Sequence, residues 1–200
     1  MISNIINNKR TIWYALAVLA AAAVILTVIM LVLPGTRDKN ASAENGTDVV
    51  DVKTIKIDDS SRHAGALYKH KVEDINDTAL IVELFEEMDL ENIAGEYAVE
   101  ISQEGDTLVL AVNLTEAVQT ADKKVFDANM EICAQQMLAL MPQVGRVQWT
   151  YPMITTGSSE EASVGSLDRV EFASSLGKAP EYFGKSEDNI KKLLEKQKES

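Results

Sequence analysis

The sequence predicts an α+β fold: one N-terminal transmembrane helix, a body of βαββαβ order, then two C-terminal helices. Three observations predict it. Ile12 to Leu33 is apolar at 21 of 22 positions, with Thr27 the exception. Residues 77–90 and 122–141 repeat apolar side chains at helical spacing. Residues 49–57, 97–102, 107–114 and 144–154 are rich in β-branched and aromatic side chains, with the alternation clearest in the middle pair.

Charge divides the chain at the same place. The first 40 residues sum to +3 and the remainder to −15, which gives the net −12. An acidic body repels phosphate backbones, which argues against nucleic acid as a partner. A hydrophobic content of 46% is too high for a wholly disordered chain. The single cysteine can form neither an internal disulfide nor a cysteine-rich zinc site.

The apolar run is long enough for a bilayer. At about 1.5 Å per residue it spans roughly 33 Å, against a hydrocarbon core of about 30 Å. Trp13 and Tyr14 stand at its start, where amphipathic rings favour the headgroup layer, and Pro34-Gly35 ends it. Lys9 and Arg10 precede the span and Arg37 and Lys39 follow it, so the contrast between a short tail and a 160-residue acidic body decides: the tail is expected in the cytoplasm and the body outside. Ala41-Ser42-Ala43 fits a signal-peptidase site, the alternative being a secreted body. A secretory apolar core runs only about 7–15 residues, however, which favours an uncleaved anchor. The expected organisation is a cytoplasmic tail at 1–11, the transmembrane helix at 12–33 and a flexible tether at 34–48. An extracytoplasmic α+β domain follows at 49–154. Residues 155–200 form a loop and two C-terminal helices packed on it or extending it.

Within the body, Val49, Val50, Val52, Ile55 and Ile57 mark a first strand, with a slip of phase that suggests an edge or bulge. Ser60 to Glu73 is polar and resists assignment. Asp77 can cap a helix to about Leu90, with Ile75 as a staple residue, Leu80, Ile81, Leu84, Phe85 and Met88 on one face and Glu83, Glu86 and Glu87 on the other. Tyr97–Ser102 and Thr107–Leu114 alternate as a hairpin about Gln103–Asp106. A helix over 122–141 places Val125, Phe126, Asn129, Ile132, Cys133, Met137, Leu140 and Met141 on one stripe, and Pro142 stops it. Val147, Trp149 and Tyr151 share a face of the strand at 144–154. This order is the split βαβ, ferredoxin-like arrangement, with both helices on one face of a four-stranded sheet. Thr155–Ala162 reads as a loop. Ser166 is expected to cap a helix to Leu176 that stops at Gly177, and Ser186 a last helix carrying Ile190, Leu193 and Leu194.

Three stretches resemble a domain of unknown function found outside the membrane in Gram-positive bacteria, behind single spans or at the end of membrane metallopeptidases related to beta-lactam sensors. The first is Asn76-Asp77-Thr78-Ala79 with Ile81, Leu84, Phe85 and the exit Met88-Asp89-Leu90. The second is Asn129 with the run Leu140 to Trp149. The third comprises Arg169, Phe172, Ala173, Gly177, Tyr182, Ser186 and Leu193-Leu194. Coverage is roughly residues 50–195. The resemblance implies a location and a fold, and none of its motifs is catalytic.

Chemistry-bearing patterns each meet a physical objection. Ala179 to Ser186 approaches a phosphate-binding loop, but Ala179 replaces the first glycine and Tyr182 and Phe183 crowd the backbone; a turn with a Ser cap suffices. Ser175-Leu-Gly-Lys178 has the spacing of the S-x-x-K pattern of penicillin-recognising serine enzymes, yet Ser175 lies at a helix end and Gly177 breaks the turn that must align the pair. His63 and His70 could share a metal with Asp58, Asp59 or Glu73, or be solvent-exposed loop residues, the simpler reading. Cys133, on an apolar stripe, reads as a buried inert thiol. Asn129 reads as a structural amide satisfied by backbone near the following strand. The acids Glu83, Glu86, Glu87, Asp89 and Glu91 read as a solvated face before a cation or basic-partner site.

No catalytic, cofactor-binding or metal residue is therefore assigned, and no cofactor is expected. The expected function is a non-enzymatic interaction or sensing module, held in the bilayer by residues 12–33 and acting through a membrane or envelope protein. So short an inner tail cannot hold a signalling domain. Two alternatives stand beside it: a structural subunit of an envelope assembly, which a closed oligomer would reveal, and an enzyme or small-ligand binder, which a deep pocket with convergent polar groups would reveal.

Overall fold

A computed structural model describes residues 31–32, 49–57, 60–155 and 161–198. The described elements are β1 (Leu31–Val32), α1 (Ser60–Lys69), α2 (Thr78–Glu87), α3 (Leu90–Ala94), β2 (Tyr97–Glu104), β3 (Thr107–Leu114), β4 (Val118–Gln119), α4 (Lys123–Leu140), β5 (Arg146–Ile154), β6 (Glu161–Asp168), α5 (Arg169–Leu176), α6 (Pro180–Phe183) and α7 (Glu187–Lys198). The chain is a mixed α+β domain. The expected tail and tether, and residues 12–30 and 33 of the expected span, lie outside the described residues. Leu31 and Val32 are extended, paired antiparallel with Val99 and Ala98 of β2, rather than the last turn of a helix. Among the described residues no helix is long and apolar enough to cross a membrane.

Two hairpins joined by one helix replace the βαββαβ order. β2 and β3 pair in full antiparallel register about Gly105-Asp106, and Gly105 adopts a left-handed φ of 59°, which the tight turn requires. β3 feeds α4, and β5 returns parallel to β3, with Val112 opposite Trp149. β5 then turns into β6, with Trp149 opposite Gly165. β4 pairs with the far end of β5 on the side β3 occupies, so the sheet is five strands wide: β1, β2, β3 with β4, β5, β6. The ferredoxin-like expectation fails because Val49–Ile57 is not a strand. Only Val49 bridges, to Ala117, and Val50 N–H donates to Ala117 C=O at 2.9 Å. The rest lies along α4, where Val52, Ile55 and Ile57 pack on the core without a ladder.

One sheet face builds the core. Val99, Ile101, Leu110, Val112, Val147, Trp149, Tyr151 and Leu167 stand on it in register, and all are buried beneath α4 and its neighbours. α4 presents Phe126, Met130, Cys133, Met137 and Leu140, all buried; Val125, expected on this stripe, is instead 38% exposed. The α2 face forms as expected, with Ile81, Leu84 and Phe85 buried and Asp77 Oδ1 accepting from Leu80 N–H at 3.1 Å. The helix then breaks at Asp89, whose φ is 59°.

The C-terminal part starts differently from expectation. β6 occupies part of the expected loop and runs through Ser166, and the cap of α5 is Asp168. Asp168 Oδ1 accepts from Val170 and Glu171 N–H, both at 2.8 Å, and Glu171 reciprocates on the Asp168 N–H, a full capping box. Gly177 ends α5 in the left-handed region, as expected. α7 lies against α1, so the first and last helices of the body are neighbours. Ile190, Leu193 and Leu194 meet Ala64 and Leu67 in the buried set, each large apolar side chain contributing roughly 1.5–3 kcal/mol. Gln197 locks α7 to α4: its amide donates to Gln135 Oε1 at 2.8 Å and Ile132 C=O at 3.1 Å, and its oxygen accepts from Gln136 at 3.1 Å.

Candidate functional site

A groove of about 370 Å³ opens between the extended stretch Lys53–Ile57, α1, the α2–α3 junction and α4. Its lining is two-sided in character. Ile55, Met88, Ile93, Ile132 and Cys133 supply apolar surface; Lys53, Lys56, His63, Asp89, Asn92 and Gln136 supply polar groups. The extended wall is held by one side chain. Asn129, 2% exposed on α4, accepts from Ile55 N–H at 3.2 Å and donates to Lys53 C=O at 2.7 Å. The structural role expected for Asn129 stands, but its backbone partners lie more than 70 residues earlier rather than on the following strand.

The groove holds no activated nucleophile. Burial, with the Asp89 charge adding to it, pushes the Cys133 thiol up to about 12, so it stays protonated at neutral pH. His63 is half-buried; burial lowers its pKa, and Glu87 only partly opposes this, so the ring is neutral. Asp89, at the N-cap position of α3, accepts a hydrogen bond from the Asn92 amide and makes no side-chain capping bond. The arrangement can receive a small mixed-polarity group.

Only one of the two histidines is a loop residue. His63 lies within α1 and lines the groove, whereas His70 follows α1 and bonds Glu83 through Nδ1 at 3.1 Å. Asp58 and Asp59 lie outside the described residues, and Glu73 pairs with Lys71 at 2.7 Å. Among the described residues no three His, Cys, Asp or Glu side chains are grouped to hold a metal. Glu83, Glu86 and Asp89 are exposed and Glu87 is half-buried. Ser175 donates to Phe172 C=O at 3.1 Å, one turn back on its own helix. The loop at Ala179–Ser186 is a short helix and a cap: Ser186 Oγ accepts from Asn189 N–H at 3.3 Å. Gly184 is needed there for close approach, since a β-carbon would lie 1.8 Å from the Ala139 carbonyl oxygen.

Two polar clusters escaped the sequence reading. Asp127 takes Tyr151 Oη at 2.8 Å and Trp149 Nε1 at 3.2 Å on one oxygen and the Lys123 ammonium on the other. Burial raises the Asp127 carboxyl, but the donors from Lys123, Tyr151 and Trp149 outweigh it and hold its pKa below the ordinary value. The Lys123–Asp127 spacing of four was the available signal. Arg169 is the second: Nε donates to Val144 C=O at 2.7 Å, and Nη2 to the carbonyls of Leu138, Met141 and Pro142 at 3.2, 3.1 and 2.9 Å, capping the end of α4. Both clusters hold elements together.

The remaining feature is an edge. Among the described residues only β5 pairs with β6. Ala162, Val164 and Ser166 are exposed, Val164 at 60%. The interior of this edge carries neither lysine nor proline, the usual guards against strand pairing.

Residues 67–163 match the family model of a domain of unknown function, DUF4825. The DUF4825 segment is just under half of the chain and agrees, at that coarse level, with the resemblance read from the sequence. No curated protein and no solved structure matches the chain. The DUF4825 segment contains α2 to β5 whole. The groove wall at Lys53–Ile57, the distal half of β6 and α5 to α7 lie beyond it.

Proposed function

We propose that this chain is a single-pass membrane protein of the bacterial cell envelope, anchored by the apolar run of residues 12–30 ahead of β1, with its N terminus in the cytoplasm. Its extracytoplasmic body is a non-enzymatic interaction or sensing module that acts through a partner protein. The open edge of β6 carries this reading, because an exposed, unguarded strand is a surface made to be covered. The employment of the polar side chains supports it as well. Asp127, Arg169, Asn129 and Gln197 are each spent on joining elements, and the Cys133 thiol is protonated.

The test is a photoreactive side chain placed at position 164 in the full-length protein in its native membranes, with position 195 on α7 as control. One discrete adduct, formed from 164 and absent from 195, is the expected result. Diffuse or no labelling at 164 defeats the reading. Protease added to intact cells should degrade the body and spare residues 1–11; protection of the body would overturn the orientation.

A further inference from the structure

We infer that β6 receives an extended segment of a partner protein as an additional antiparallel strand, and that this segment is basic at both ends. The inference rests on the interaction reading above and specifies the chemistry of the partner.

Register decides which backbone groups are available. Arg169 N–H donates to Gly145 C=O at 3.3 Å, while Asp168 N–H turns away from β5 to Glu171 Oε2 at 3.1 Å. In an antiparallel pair, residues alternate between exchanging both main-chain bonds with their neighbour and pointing both outward. Gly165, Ser163 and Glu161 therefore bond to β5, and the N–H and C=O groups of Ala162, Val164 and Ser166 point away from the sheet. These three residues are exposed. Three outward donors and three outward acceptors, two residues apart, are the template that strand addition uses.

Charge decides the occupant. Acids close both ends of the strand: Glu161 at one, Asp168 and Glu171 at the other. A second copy paired antiparallel on this edge sets acid against acid at each end, which is destabilising. A foreign strand with lysine or arginine at both ends meets opposite charge instead. The side chain opposite Val164 shares its face, so an apolar residue there covers the exposed valine. The signature is a basic residue, an apolar residue four positions on, and a second basic residue three beyond that, without proline between.

The experiment uses the full chain in nanodiscs and a labelled peptide, Lys-Thr-Ser-Thr-Val-Thr-Ser-Lys, followed by fluorescence anisotropy. Saturable binding is expected, weakened about tenfold or more when both lysines become glutamates. Val164→Pro removes an outward N–H without touching the β5 ladder, so the fold is retained and peptide binding is lost. Ser166→Pro makes the same test should the first variant misfold. Equal binding of the lysine and glutamate peptides, undiminished binding to a folded proline variant, or no saturation by the lysine peptide overturns the inference. A dimer in sedimentation that Val164→Pro dissolves also overturns it, by naming a second copy as the occupant. If the peptide arms fail while position 164 still crosslinks in membranes, strand addition falls and the interaction reading survives. If crosslinking fails too, both fall.

Discussion

The indole of Trp149 fills the space that a side chain at position 165 would need: a β-carbon on Gly165 would lie 2.2 Å from Trp149 Cε2. The two residues are directly opposed across the β5–β6 ladder. Trp149 cannot yield easily, since its Nε1 is tied to Asp127 on α4. Gly165→Ala is thus expected to destabilise the body by about 1–3 kcal/mol through overpacking. Urea denaturation measures it, and a neutral result would show that β6 can shift away from the ring.

Asn129 joins the stretch 49–57 to the body by two backbone hydrogen bonds. Asn129→Ala leaves a buried donor and acceptor unpaired at a cost of about 1–3 kcal/mol. The loss should be local: amide exchange of residues 53–57 is expected to accelerate while that of β2 and β3 stays unchanged. Uniform acceleration would mean that the stretch belongs to the same cooperative unit as the sheet.

Arg169 makes two kinds of contact. Its pair with Glu181 Oε1, at 2.6 Å, is at the surface and Glu181 is exposed, so Glu181→Gln should cost no more than about 1 kcal/mol. The four carbonyl bonds need the planar fork of a guanidinium, which an ammonium cannot reproduce. Arg169→Lys should cost more than Glu181→Gln, about 1–3 kcal/mol. The reverse order in matched melts would assign the stabilisation to the ion pair.

The Asp127 carboxyl has a depressed pKa in the folded chain. A depressed carboxyl stabilises the fold above its unfolded value, about 4, and that contribution disappears as pH falls through the lower folded value. The acid limb of a stability–pH profile should therefore flatten in Asp127→Asn, measured from pH 7 down to pH 2. An unchanged limb would place the acid-sensitive carboxylates elsewhere.

Much of the sheet and the long helix was legible because each buries one face. Tyr97 to Ile101, Leu108 to Leu114 and Val147 to Tyr151 alternate clearly, and Phe126 to Met141 recurs at helical spacing. Val49–Ile57 has strand composition, but its backbone groups at Lys53 and Ile55 are taken by the side chain of Asn129, which no periodicity can reveal. α1 stayed hidden since its buried contribution is Ser60, Ala64 and Leu67, too small to make a stripe. β6 was read as loop and cap because Ser163, Gly165 and Ser166 are small, and Gly165 is small for Trp149, sixteen residues earlier. The groove was out of reach altogether: its walls come from four separate segments.

The contact between α1 and α7, and the Gln197 clamp on α4, also govern the time course of folding. Neighbours separated by more than a hundred residues close late, because loop-closure entropy must be overcome before their contacts form. α1 is synthesised long before the helix that covers it. Until α7 has followed, the buried side of α1 stays open to solvent and to chaperones. The body is therefore a late-completing fold, whose last three turns decide when it becomes resistant to proteases.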